Sequence, residues 1–135
     1  MNFSKYFNYE NRSITYGLTN ELIAFYVAQL FKKESKNVIC VTSNLYEGNK
    51  LFNSIKNHLE DVVMFPMDDF ITSKVVAMSP EFQLGRLNAL DKLKISSQVI
   101  VTNLMGYLKY LPSKNIDDYI NIEVDKEFKY DDLIT

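Results

Sequence analysis

The chain has 135 residues, 47% of them hydrophobic and 24% charged, with a formal net charge of −2. That is ordinary globular composition, with enough material for one domain and a core of its own. The charge is slightly acidic and mixed in sign, so the basic stripe of an autonomous nucleic-acid binder is missing.

Cys40 is the single cysteine. It excludes an intrachain disulfide, argues against a cysteine-based zinc site, and fits a reducing compartment. The opening residues, MNFSKYFNYENRS, lack the apolar centre of a signal peptide. No apolar run approaches the roughly 18 residues that span a bilayer. A cytoplasmic location is expected.

Residues 1–12 are polar and aromatic and read as a short helix or an arm. Residues 13–18 read as a short strand. Asn20 stands where a cap would open a helix running from Glu21 to about Lys33, with Ile23, Val27, Leu30 and Phe31 at helical spacing. Glu21 suits the positive end of that helix, and Lys32 with Lys33 the negative end. Residues 38–41 (VICV) form an unbroken apolar run, the pattern of a strand buried on both faces. Asn44 and Glu47 then resemble a capping box, and Leu45, Leu51, Phe52, Ile55 and Leu59 share one stripe of the helix it opens.

Val62–Phe65 is a second apolar strand, stopped by Pro66. Residues 67–78 read as a loop with a short helix. Ser79, Pro80 and Glu81 make a strong helix start, with serine as cap, proline at the first position and glutamate facing the dipole. Leu84, Leu87, Leu90 and Leu93 carry that helix to about Lys94. Residues 98–102 (QVIVT) are a third buried-type strand, and Asn103 starts a short helix that Pro112 stops. Beyond it, residues 119–125 alternate, with Ile120, Ile122 and Val124 on one face and Asn121, Glu123 and Asp125 on the other. Residues 131–134 look like the first turn of a further helix.

Strands alternating with helices predict an α/β fold: a three-layer parallel sheet with helices on both faces. The pattern changes near residues 112–118. The expected division is therefore a core domain over residues 1–114 and the start of a second, small domain over residues 115–135.

The candidates for chemistry are few. Residues 17–24 occupy the place of a P-loop, G-x-x-x-x-G-K-[ST]. Gly17 opens the pattern, followed by Leu18 and Thr19. Leu22 then replaces the second glycine, Ile23 the lysine and Ala24 the hydroxyl. Without the lysine and the magnesium-binding hydroxyl, the electrostatic terms of phosphoryl transfer are gone. The plain alternative is a tight turn before a helix. Asp68 and Asp69 follow a strand as a magnesium-binding pair would, or else they cap a helix and face solvent. His58 lies near a helix C-terminus with nothing beside it in sequence to make it a base. Cys40 reads as a small buried hydrophobe. Arg86 reads as a solvated residue or as one that binds a partner carboxylate. Tyr107 and Tyr110 read as core aromatics or as a contact surface. No catalytic residue and no metal ligand is assigned.

From Gly17 to Pro112 the chain resembles the N-terminal domain of the bacterial transcription-repair coupling factors (Mfd). The resemblance rests on GLTNELIAFYVAQLF, VICVTSNLYEGNKLFNSI, VMFPMDDF, SPEFQLGRLNALDKL and VIVTNLMGYLKYLPSK, in that order and spacing. It covers about three-quarters of the chain. The combination FP-x-DD…A-x-SPE-x-x-x-x-RL-x-x-L is its most specific part. That domain is similar to the first domain of the excision-repair protein UvrB, which has a working P-loop. The short link at residues 67–78 leaves no room for UvrB's damage-probing hairpin and favours the coupling factors.

The resemblance implies a UvrB-like fold with a degenerate P-loop at Gly17, Leu18, Thr19, Leu22, Ile23 and Ala24. It implies a non-catalytic scaffold with no cofactor of its own. The full-length parent would be an ATP- and Mg-dependent DNA translocase that displaces stalled RNA polymerase and recruits UvrA. The UvrA surface would lie in the domain that follows, so this chain alone is expected to be a monomer with weak or absent affinity for UvrA, and its slightly negative charge predicts the same for DNA. The alternative is a UvrB-like nucleotide- or DNA-binding domain of an excision-repair protein or helicase.

Overall fold

The computed structural model describes residues 14–69, 79–109 and 111. Three parallel strands form one sheet: β1 (Val38–Thr42), β2 (Val62–Phe65) and β3 (Val99–Asn103), in the order β1-β3-β2. Between and around them run α1 (Asn20–Glu34), α2 (Leu45–Lys56), α3 (Pro80–Ile95) and α4 (Leu104–Tyr107). The expected α/β class and parallel sheet are present, and β2 has its predicted bounds. The tail strand, the first 13 residues, residues 70–78 and Tyr110 lie outside the described residues.

Register explains the layers. Val38, Val99 and Val62 stand in one row across the sheet, and Cys40, Val101 and Met64 in the next. These side chains meet Ala24, Val27 and Phe31 of α1 and Leu51 and Ile55 of α2 in the main core. Ile55, Val99 and Val101 are completely buried. Burial of each such side chain contributes about 1.5–3 kcal/mol. On the opposite face Val63, Phe65 and Ile100 pack against Ala89 and Leu90 of α3.

β1 departs from its prediction. Its apolar run suggested burial on both faces, yet Ile39 is 55% and Val41 45% exposed. Among the described residues β1 pairs only with β3, so it is an edge strand. Among the described residues α3 contacts β2 and does not cover the β1 side of that face. The strand predicted over residues 13–18 is also absent from its described part. Ile14 and Tyr16 are 76% and 84% exposed there, with no neighbouring strand among the described residues.

The helix caps are partly as predicted. Thr19, not Asn20, caps α1: its Oγ1 accepts from Leu22 N–H, and Asn20 is already helical. α1 ends at Ser35, whose φ of 52° is left-handed and whose N–H bonds to Phe31. Asn44 caps α2 as read, its Oδ1 accepting from Glu47 N–H at 2.8 Å. Pro80 opens α3, but Ser79 makes no side-chain cap bond. α3 also differs in its faces. Leu84 and Leu87 are exposed, and Ala89 is its one buried residue.

Candidate functional site

In open parallel sheets the ligand crevice lies outside the carboxyl ends of the strands. Here those ends lead into the N-termini of α2 and α4, and the N-terminus of α1 stands beside them. An open hollow of about 540 Å³ lies at the end of β1, lined by Asn20, Ile23, Thr42, Asn44, Glu47 and Leu51 among others. Among the described residues its charged lining residue is Glu47, which offers no cation to a phosphate.

The vestigial P-loop positions line up along the start of α1. Gly17 has a φ of +74°, the left-handed turn that glycine adopts without strain. Leu18 is half-buried and Thr19 is the cap. Ala24, in the hydroxyl slot, is fully buried in the core, and Ile23, in the lysine slot, packs against that core. Leu22 is 46% exposed. Two of the three replaced positions thus serve packing, while the third faces solvent.

Asp69 joins two strand ends. Both its carboxylate oxygens accept from the Leu45 N–H at 2.9 Å, at the first position of α2. Asn103 Nδ2 also donates to it at 2.7 Å. Of the two readings of the acidic pair, the geometry of Asp69 is that of a helix cap. Asp68 is half-buried beside it, in the strap of residues 66–69 that follows β2. Among the described residues no three His, Cys, Asp or Glu side chains gather as a metal ion needs.

Asn103 is the centre of the arrangement and is completely buried. Its Oδ1 accepts from Gly106 N–H, which caps α4, and its Nδ2 also donates to the Met67 carbonyl at 2.7 Å. Beside it Thr102 Oγ1 donates to the Phe65 carbonyl at 2.8 Å. Arg86 departs from the solvated reading. It is half-buried, and its guanidinium donates to the Pro66 carbonyl at 3.1 Å. The strap after β2 is therefore held from α3, β3 and α2 together.

The other candidates stand apart. His58 is exposed past the end of α2, edge-on to the Phe25 ring at 5.9 Å. Burial pushes the Cys40 thiol up from 9.0 to about 11, as suits a small core hydrophobe rather than a nucleophile. Tyr107 is 58% exposed on α4. The bonds of Asn103 to the strap were not foreseen. Its capping role showed in the sequence, but contacts over 34 and 36 residues leave no local signal.

Comparison with known proteins gives a consistent result. No family model and no solved structure matches. The chain is 25% identical over 133 residues to a transcription-repair-coupling factor of Staphylococcus haemolyticus, covering 95% of this chain and 11% of the relative. It is 26% identical over 130 residues to one from Staphylococcus epidermidis, covering 93% and 11%. The match to that of Bacillus subtilis is 25% over 99 residues, 71% of this chain and 8% of the relative. No helix of the described residues is long and apolar enough to cross a membrane. Along nearly all its length the chain is similar to about one-tenth of a transcription-repair-coupling factor, as its motifs suggested.

Proposed function

We propose that the chain is a non-catalytic scaffold domain of a transcription-repair-coupling factor, with a UvrB-like fold and a degenerate P-loop. The observation that carries this is the similarity to such factors over 93–95% of the chain. The packing of Ile23 and Ala24 supports it, since these side chains occupy the helix start where phosphate chemistry needs a lysine and a hydroxyl. Because the chain spans only about 11% of those relatives, the translocase activity and the contacts with RNA polymerase, DNA and UvrA that the resemblance implies would be the work of a longer protein. In that protein this domain would be a platform in the bacterial cytoplasm, bringing no cofactor of its own.

Two measurements test the reading. Purified chain, with and without DNA, is expected to show no ATP turnover. Saturable turnover that scales with protein through repeated purification overturns it. Calorimetry against UvrA is expected to show no tight binding. A dissociation constant below about 1 μM, near −8 kcal/mol, overturns the platform. The division near residues 112–118 belongs to the same proposal. Truncation after Lys114 should keep cooperative unfolding, and a loss above about 3 kcal/mol would make the tail part of the core.

A second reading, nucleotide binding, has one observation in its favour: the 540 Å³ hollow beside the α1 N-terminus. Titration with labelled ATP separates the two, saturable binding favouring this second reading.

A further inference from the structure

We propose that Asp69 is an internal anion: its carboxylate fills the seat at the N-terminus of α2 and closes the carboxyl-end crevice there to phosphate-bearing ligands. This stands apart from the repair-factor reading and rests on the geometry of the strap. The first turn of a helix presents unpaired N–H groups and a partial positive charge, and anions settle there. α2 has 12 residues, and its start lies at the end of β1. The Asn44 side chain satisfies Glu47 N–H. The Leu45 N–H points at both oxygens of Asp69, and Asn103 supplies a second donor to the same carboxylate. A bound phosphate would meet the same two donors.

The carboxylate is not brought there by its own attraction alone. Arg86 holds the Pro66 carbonyl and Asn103 the Met67 carbonyl, so the strap is fixed up to two residues before Asp69. The seat is filled by a group whose position other bonds already set, at little further entropic cost. An external anion would have to displace it. The helix N-terminus that other α/β proteins offer to ligands in this crevice is, at α2, occupied from within.

The test is anion rescue in the full chain. Thermal midpoints of the native chain, Asp69→Ala and Asp69→Asn are compared in sodium phosphate and in sodium chloride of equal ionic strength. Asp69→Ala should melt several degrees lower in chloride and recover at least half of that loss in phosphate. The native chain and Asp69→Asn, whose side chains still fill the seat, should show only the small shift that phosphate gives any protein. An Asp69→Ala midpoint equal to native overturns the proposal. So does a phosphate shift of equal size in all three proteins. Should Asp69→Ala fail to fold, amide exchange in Asp69→Asn decides. Several-fold faster exchange at Leu45 than in the native chain supports the charged seat, and an unchanged rate overturns it.

Discussion

Asn103 Oδ1 accepts from the Gly106 N–H at 3.2 Å, and this bond sets α4 directly on the end of β3. The approach is close enough that a Cβ on Gly106 would overlap Thr102 Oγ1 and press on the Phe65 carbonyl. Gly106→Ala should therefore cost roughly 1–3 kcal/mol, as overpacking does. Gly17→Ala is the contrast. It meets open space and is strained only by its φ of +74°, so about 1 kcal/mol is expected. Urea unfolding of both variants checks the order.

Removing the Asn103 side chain strands the Met67 carbonyl and the Gly106 N–H and takes one donor from Asp69. Asn103→Ala is expected to lose about 2–4 kcal/mol, because buried partners left unpaired bear the full desolvation penalty. Combined with Asp69→Ala, the losses should be non-additive by more than about 0.5 kcal/mol. Simple additivity would mean that the two residues act separately.

Rebuilding the P-loop pattern should fail. Leu22→Gly, Ile23→Lys and Ala24→Ser together restore the motif, but two of them push polar groups into the main core. Burying an unpaired hydroxyl alone costs about 1–3 kcal/mol. The expected outcome is a less stable chain without ATP turnover, measured by calorimetry and phosphate release. A stable, hydrolysing variant would show that the loop retains more of its ancestral geometry than its packing suggests.

Cys40 gives the chain an alkaline limit. Its folded thiol stays protonated to about 11, against an ordinary value of 9.0. Its contribution to stability is whole below pH 9 and shrinks as the pH climbs to 11, because only the unfolded chain loses the proton readily. The loss is about 2 kcal/mol across that window. Cys40→Ala should abolish this part of the pH dependence, seen as a flatter stability curve from pH 9 to 11.

The sequence was most legible where one side of an element decides it. Val62–Phe65 is apolar, short and stopped by Pro66, and its strand has the predicted bounds. Asn44 before an amphipathic stripe marked the start of α2. β1 is less legible because burial of both faces depends on what neighbours arrive, and Ile39 and Val41 stay exposed. Asp69 offered two readings, and only the approach of Leu45, 24 residues earlier, distinguishes them. Helix-face logic makes Arg86 a solvated residue or a partner's ligand and cannot see the Pro66 carbonyl beside it, 20 residues earlier.

The open side of β1 also governs how the isolated chain behaves when concentrated. Among the described residues its outer backbone N–H and C=O groups have no strand beside them, and Ile39, Cys40 and Val41 bring no charge to the rim. Such a rim templates the addition of further strands, because lysine or proline normally blunts it. The isolated chain should lose solubility through native-like stacking before it unfolds, with turbidity rising below the melting midpoint. Ile39→Lys would place a repelling charge at 55% exposure and raise the concentration at which turbidity starts, while leaving the main core intact.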